Sequence, residues 1–421
     1  MPRTLPFVVA LVLTGCSQSD GPVSKTPPFN DFAYEERDAI HDDVPLPREG
    51  VHQRPILGLK KVLVSVVHWQ DGDSLNDSLI QKHTLSRDPD SLRSYILAAS
   101  LGKLTLDGTM ISSTSGPRPD LCKSGSPFPM SLALAEGEKA ARTAGLDPDN
   151  FDYLINVIDC GGGAAAFTPG RIMGVYGQSE TSHVYKHEFG HNLGYAHGAT
   201  YERCPRHEGT VKTPQGCTET GYGDTGDTVS GGETLYPAYN RWWSGWLDET
   251  QAVTIAHTGL YRLGVLGHSD PQLFLINVPA GPGTVTHLTL EYRKPTPYDN
   301  FPPIDNRVTG VWVRYSSKVY SSSKMVNRQV DATPQTSATT DPTLQPGRTL
   351  KDDTAGITVH VCDAPLSDSG ISIAVGVKGE KPPTCASELV LGAPKGAEFI
   401  NQNSFLSGSE RPVGTPISLT F

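Results

Sequence analysis

Hydrophobic residues in the first half of the chain follow two different spacings. Some apolar runs are almost continuous, which is typical of strands covered on both faces. Other runs place apolar residues at helical spacing, and Gly102 follows one of them as a stop signal. The predicted strands are residues 60–69, 103–107, 151–159 and 171–176, the last as an edge strand, and the predicted helices are residues 92–101 and 129–145. Strands that alternate with helices predict an α/β layer.

The pattern changes after about residue 249. Short β-like runs follow one another, turn residues separate them, and helical periodicity is weak. These runs are residues 260–266, 272–278, 286–292, 310–315, 356–361 and 370–377. Many short strands with regular turns predict a β-sandwich.

These patterns divide the chain into five predicted parts. The predicted fold class is therefore α/β (α+β), followed by an all-β, sandwich-like domain. The parts are a signal peptide at 1–15, a polar tether at 16–56, a mixed α/β domain at 57–249, the β-sandwich domain at 250–378, and a tail at 379–421 that Cys385 could attach to the sandwich.

The N-terminus has the features of an export signal. Residues 5–13 are apolar but too few to span a membrane as a mature helix. The sequence Leu-Thr-Gly-Cys at residues 13–16 resembles a bacterial lipobox, in which Cys16 would be lipidated and become the mature N-terminus. An ordinary secretory signal that ends near a cysteine is the alternative. Both predict an exported protein, either anchored in the bacterial cell envelope through Cys16 (outer membrane or cell surface) or secreted.

The cysteine count agrees with export. The chain has 7 cysteines, an odd number, so lipidation of Cys16 would leave six. We expect sequential pairs, because each pair then closes within one segment: Cys122 with Cys160, Cys204 with Cys217, and Cys362 with Cys385. Cys122 could instead ligate a metal as an inhibitory thiolate. A disulfide is the better expectation, since Cys122 follows the first predicted strands of the α/β layer rather than preceding them.

Charge and hydropathy exclude two classes of protein. There are 35 Lys and Arg against 45 Asp and Glu, a net charge of −10, which argues against a nucleic-acid partner. No apolar run is long enough for a mature membrane span. The oligomeric state is left open by the sequence.

The most specific motif is His-Glu-Phe-Gly-His-Asn-Leu-Gly-Tyr-Ala-His at residues 187–197. Residues four apart share a helix face, so His187 and His191 can bind one metal ion. Gly194 can end the helix, and the returning chain then delivers His197 as a third ligand. Three protein ligands leave one zinc position open, as catalytic sites require, and Glu188 lies where a general base is needed.

Alternatives to this interpretation are a histidine-rich core helix and a regulatory or structural zinc. A core helix has no packing reason for three histidines and a glutamate at this spacing. His183 could add a fourth ligand, but that would close the site and leave Glu188 without a role. We therefore interpret His183 as a polar residue at the start of the helix.

The motif resembles the extended zinc motif of the metzincin metallopeptidases, and more narrowly the gametolysin-type family and its bacterial relatives. Further stretches are similar to that family, and the resemblance covers residues 57–377. They are residues 94–108, 221–224, 238–247, 290–295 and 344–347. The resemblance implies Zn²⁺ as cofactor and extended polypeptides as substrates, among them matrix or cell-wall glycoproteins.

One departure from the family concerns the methionine that metzincins place in a turn beneath the zinc. None of the five methionines lies in the window after His197, and Val229 stands where methionine is expected. Valine could form a smaller apolar floor. In some metzincins a tyrosine near this turn stabilises the oxyanion, and Tyr236 and Tyr239 are the candidates here.

The sequence thus predicts a zinc endopeptidase with ligands His187, His191 and His197 and with Glu188 as the general base. Two other classes remain open. The missing methionine suggests a catalytically impaired module that binds surface protein or glycan, although such a binder has no need of Glu188. A zinc-dependent hydrolase of a non-peptide bond is the other.

Overall fold

The computed structural model describes residues 56–385, except for residues 124–128, 162, 283, 320–323, 337–339 and 363–369. Strands predominate over helices within these residues, and the predicted mixed α/β character is confirmed. The α-helices are α1 (Asp77–Thr84), α2 (Leu92–Ala99), α3 (Asp120–Lys123), α4 (Met130–Thr143), α5 (Ser182–Asn192), α6 (Ala238–Trp243) and α7 (Asn306–Thr309).

The first sheet has five strands in the order β2-β1-β3-β5-β4. These are β1 (Gly58–His68), β2 (Leu104–Thr114), β3 (Tyr153–Ile158), β4 (Ala164–Ala166) and β5 (Ile172–Val175). All neighbours are parallel except β4, which runs antiparallel to β5 and forms the edge. The strand predicted at residues 171–176 is present as β5, but it lies inside the sheet, so its prediction as an edge strand is wrong. Three consecutive alanines carry no β signal, so β4 was missed.

Helices cover both faces of this sheet, as the continuous apolar runs predicted. On one face Val64 and Ile155 share a core with α2 and with Phe189 of α5. On the other face Leu63 packs with residues of α4. Helix α5, which carries the histidine motif, thus lies directly on the parallel sheet.

The remaining strands form a seven-stranded and a six-stranded sheet. They are β6 (Ala199–Glu202), β7 (Arg206–His207), β8 (Thr210–Lys212), β9 (Thr218–Gly221), β10 (Ala252–Thr254), β11 (Gly259–Leu263), β12 (Leu273–Val278), β13 (Thr284–Tyr292), β14 (Val311–Val319), β15 (Lys324–Val330), β16 (Thr349–Asp352), β17 (Ile357–Val361) and β18 (Ile371–Gly376). The strand orders are β10-β12-β13-β14-β15-β6-β9 and β11-β18-β17-β16-β8-β7. Leu288 and Val313 of the first share a core with Val359 and Ile373 of the second, so the two sheets pack face to face.

Strand pairing crosses the domain boundary that the sequence predicted at residue 249. Strands β6 and β9 belong to the seven-stranded sheet, and β7 and β8 to the six-stranded one, although all four precede that boundary. Leu275 and Met325 in turn join the core beneath α5. The two halves therefore share both sheets and core.

The three predicted disulfides are confirmed: Cys122–Cys160, Cys204–Cys217 and Cys362–Cys385. The last one ties residue 385 to the end of β17. Cys16, the signal peptide and most of the predicted tether and tail lie outside the described residues. Among the described residues, no helix has the length and apolarity needed to cross a membrane.

The contact between α4 and the sheet gives a test of this packing. A Cβ at Gly137 would lie 2.0 Å from Oδ1 of Asn156, whose side chain is buried on β3. Alanine is the better helix former, yet we expect Gly137→Ala to lower the free energy of unfolding by about 1–3 kcal/mol through overpacking. Thermal unfolding should show a lower midpoint, whereas Ser131→Ala at an exposed position of α4 should not; an unchanged midpoint for Gly137→Ala would contradict the packing.

Candidate metal centre

The histidine motif lies on α5 and on the turn that follows it. Helix α5 ends at Asn192, and Gly194 has φ of +92°, the left-handed conformation that glycine adopts without strain. Tyr195 N donates to the carbonyl of Gly190 across this turn. The chain then reverses and brings His197 back against the helix, as predicted.

The structure brings the three predicted ligands together. Nε2 of His197 lies 3.3 Å from Nε2 of His187 and 3.0 Å from Nε2 of His191. Tetrahedral zinc with Zn–N bonds of about 2.0–2.1 Å separates its nitrogen ligands by about 3.3 Å. The three imidazoles therefore have the spacing of ligands to one metal ion.

Hydrogen bonds on the far side of two rings set which nitrogen is free. Nδ1 of His187 lies 2.9 Å from the carbonyl oxygen of Thr228, and Nδ1 of His191 lies 2.7 Å from that of Tyr195. A carbonyl only accepts, so each Nδ1 must donate its proton. In the neutral rings, Nε2 of His187 and Nε2 of His191 then each present a lone pair toward Nε2 of His197. A cation bound between the three rings would accept these lone pairs.

Burial keeps the three rings neutral. It lowers the pKa of His187 to about 3 and the pKa of His197 to about 4. Burial also lowers the pKa of His191 well below its ordinary value. All three imidazoles are therefore uncharged at neutral pH, with one protonated nitrogen each, and this is the form that binds a metal.

Glu188 is the buried carboxyl group of the site. Its side chain is 6% exposed, and Oε2 has no hydrogen-bond partner among the described residues. Burial raises the pKa of Glu188 to about 8. A nearby cation favours the charged form of a carboxyl group, so the donor set and this unpartnered oxygen both fit a bound divalent metal.

The turn at residues 227–230 lies beneath α5. Val229 is fully buried, and a Cβ on Gly190 would lie 2.3 Å from its Cγ2. Val229 thus lies in the apolar floor under the helix. This is the position at which the resemblance to metzincins predicted valine in place of methionine. The neighbouring carbonyl of Thr228 orients His187, a contact that no side-chain pattern could have indicated.

His183 is not part of the ligand group. Its Nδ1 lies 3.3 Å from Oγ1 of Thr228, and the group of described residues that can hold a metal does not include it. The interpretation of His183 as a polar residue near the helix start is consistent with this contact.

The two predicted oxyanion tyrosines are engaged elsewhere. Tyr236 is fully buried and donates to the carbonyl of Lys186 at 2.6 Å, and Tyr239 is buried with its hydroxyl 3.4 Å from Nδ1 of His287. We therefore assign neither a role in the reaction. Tyr222 instead stacks on His197 at 4.1 Å between ring centres and is 43% exposed. In the sequence, Tyr222 stands out only as part of residues 221–224, which resemble the family. Its contact with His197 was not predicted.

Comparison with known proteins adds no assignment. No protein-family model matches the sequence, and no curated protein matches it significantly.

The ligand assignment predicts a specific loss of metal. His197→Ala removes one of three donors, so zinc measured by elemental analysis after dialysis should fall from about one per chain to a small fraction. His183→Ala is the matched control and should keep its zinc. Full occupancy in His197→Ala would show that His197 is not a ligand, and an equal loss in His183→Ala would show that the loss is not specific to the ligand group.

Proposed function

We propose that the protein is an exported zinc endopeptidase of the metzincin type. One observation carries the proposal: three neutral imidazole nitrogens face one point, with an unpartnered buried carboxylate oxygen on the same helix. A structural zinc would use a fourth protein ligand, and the described residues supply three.

The residues have distinct roles in this proposal. His187, His191 and His197 hold the metal, which would supply an activated water and polarise the substrate carbonyl. Oε2 of Glu188 takes a proton from the attacking water and passes it to the leaving amine nitrogen. The buried surroundings of Glu188 exclude bulk water from this proton transfer. Extended polypeptides are the proposed substrates.

A second candidate function rests on Val229. Valine lies in the floor beneath the helix where the resemblance to metzincins expects the larger methionine. This observation favours a catalytically impaired module that binds surface protein or glycan. Retention of Glu188 favours the enzyme, because a binding module needs no base.

Export is supported by the three disulfides, which form and persist in oxidising compartments. The lipobox-like sequence before Cys16 extends this to a proposal of a lipid anchor in the cell envelope.

The role of Glu188 predicts the result of one substitution. Glu188→Gln keeps the shape of the side chain but removes the base, so cleavage of a denatured protein should fall by about 100- to 10,000-fold. Zinc content should be retained, since Glu188 is not a ligand. Glu233→Gln, which changes an exposed carboxylate outside the ligand group, should cleave as wild type does.

Three outcomes separate the candidates. Equal cleavage by Glu188→Gln and wild type would contradict the proposed mechanism. Zinc-loaded wild type that cleaves no polypeptide but binds one would favour the binding module. Loss of zinc from Glu188→Gln would mean that the carboxylate belongs to the ligand set.

The proposed anchor predicts where the protein fractionates. Cys16→Ser removes the thiol that would be acylated, so the protein should move from the membrane fraction to the soluble fraction. Cys204→Ser, which leaves the proposed anchor intact, is the control and should stay with the membrane. Wild type that is soluble without detergent would contradict lipidation.

A further inference from the structure

The turn beneath α5 holds two of the three ligand segments. The carbonyl of Thr228 accepts the Nδ1 proton of His187, and Oγ of Ser230 donates to the carbonyl of Gly198, the residue after His197. A shift of this turn would therefore move both histidines relative to His191. What fixes the turn consequently determines the geometry of the metal centre.

Arg314 of β14 binds Asp224, which lies three residues before this turn. Its Nε lies 2.6 Å from Oδ2 of Asp224, and its Nη2 lies 3.1 Å from Oδ1. Oδ1 of Asp224 also accepts from the backbone N of Gly226, and the carbonyl of Asp224 accepts from the N of Gly231. The Arg314 fork thus holds a residue whose carboxylate bonds Gly226 on one side of the turn and whose backbone carbonyl bonds Gly231 on the other.

The contact is buried and closely packed. The side chains of Arg314 and Asp224 are 2% and 0% exposed. A Cβ on Gly226 would lie 2.4 Å from Nη2 of Arg314, and a Cβ on Gly198 would lie 3.0 Å from that of Asp224. The arginine therefore fits directly against the turn and against the segment that carries His197.

Other charges of the same sheet hold Arg314 in place. Its Nη1 lies 2.7 Å from Oε1 of Glu291, which also binds Arg293, and Nη2 of Arg293 donates to the carbonyl of Gly226. Burial alone would raise the pKa of Glu291, but the two arginines lower it to about 2. Arg314 is thus bonded to carboxylates on two sides, which leaves its guanidinium one orientation.

The next strand also holds the segment that carries His197. Met325 of β15 accepts from the backbone N of Ala196 and donates to the carbonyl of Gly194. These residues precede His197 on the returning chain. Strands β14 and β15 are neighbours, and both follow the domain boundary predicted at residue 249. One pair of strands from the C-terminal half therefore contacts both the turn and the returning chain.

We propose that Arg314 is a positioning residue of the metal centre, which acts through Asp224 on the turn that orients His187 and Gly198. The inference rests on the zinc site of the proposed function. It assigns the β-sandwich a part in metal binding that the histidine motif alone does not suggest.

The test measures zinc affinity in the full chain rather than activity. Arg314→Gln should weaken zinc binding by about 10- to 100-fold in competition with a chromophoric chelator, the effect typical of residues that orient ligands. Arg314→Lys should also weaken it, because an ammonium group cannot replace the two-pronged contact. Asp224→Asn, nearly isosteric, tests the same link from the other side.

A double-mutant cycle separates positioning from general destabilisation. If Arg314 acts through Asp224, the variant with both substitutions should bind zinc about as well as the weaker single variant, rather than showing the product of both losses. Tyr315→Phe is the matched control and should bind zinc as wild type does. It removes a buried hydroxyl of the adjacent residue, which bonds Asp352 of the other sheet and has no contact with the turn.

Each result decides the inference. Wild-type zinc affinity in folded Arg314→Gln and Asp224→Asn would overturn it, as would an equal loss in Tyr315→Phe or independent losses in the cycle. If Arg314→Gln does not fold in the presence of chelator, Asp224→Asn alone decides. Wild type that binds zinc but cleaves no polypeptide would contradict the proposed peptidase and leave this inference standing.

Discussion

The candidate metal centre depends on the convergence of three imidazole nitrogens at one point. Nε2 of His197 lies 3.3 Å from Nε2 of His187 and 3.0 Å from Nε2 of His191, and burial removes much of the water that would solvate these nitrogens. Two rings cannot turn away, because their Nδ1 atoms donate to backbone carbonyls. A bound cation would satisfy the converging nitrogens, and the surrounding structure already holds two of the rings in place for it.

Each ligand segment has a different support. His191 is held within its own turn of chain by the carbonyl of Tyr195, whereas His187 depends on the carbonyl of Thr228, 41 residues away. His197 lies on a returning segment whose backbone pairs with Met325. The ligands lie within eleven residues of sequence, but only the first of these supports is local.

The interior beneath the helix shows how closely these parts approach. Gly190 lets α5 contact Val229, since any larger residue would meet the valine side chain. Gly226 and Gly198 allow the same close approach of Arg314 and Asp224. Burying so many charges is costly unless every one is paired. Asp224, Glu291 and Asp299 are each paired with one of two arginines or with both.

The sequence by itself determined the features that depend on residues near one another in the chain. Helical spacing placed His187 and His191 on one face, Gly194 allowed the return to His197, and apolar runs defined most strands of the first sheet. Short segments between cysteines also predicted the disulfides.

Only the tertiary structure decided that β6 to β9 join the sandwich sheets, that β4 forms one edge of the first sheet, and that Tyr222 rather than Tyr236 or Tyr239 lies beside a ligand. Carbonyl acceptors such as that of Thr228 are present in every residue, and the partner of Arg314 is 90 residues distant. No local pattern encodes such contacts, because they arise only when the packed core brings distant backbone and buried charges together.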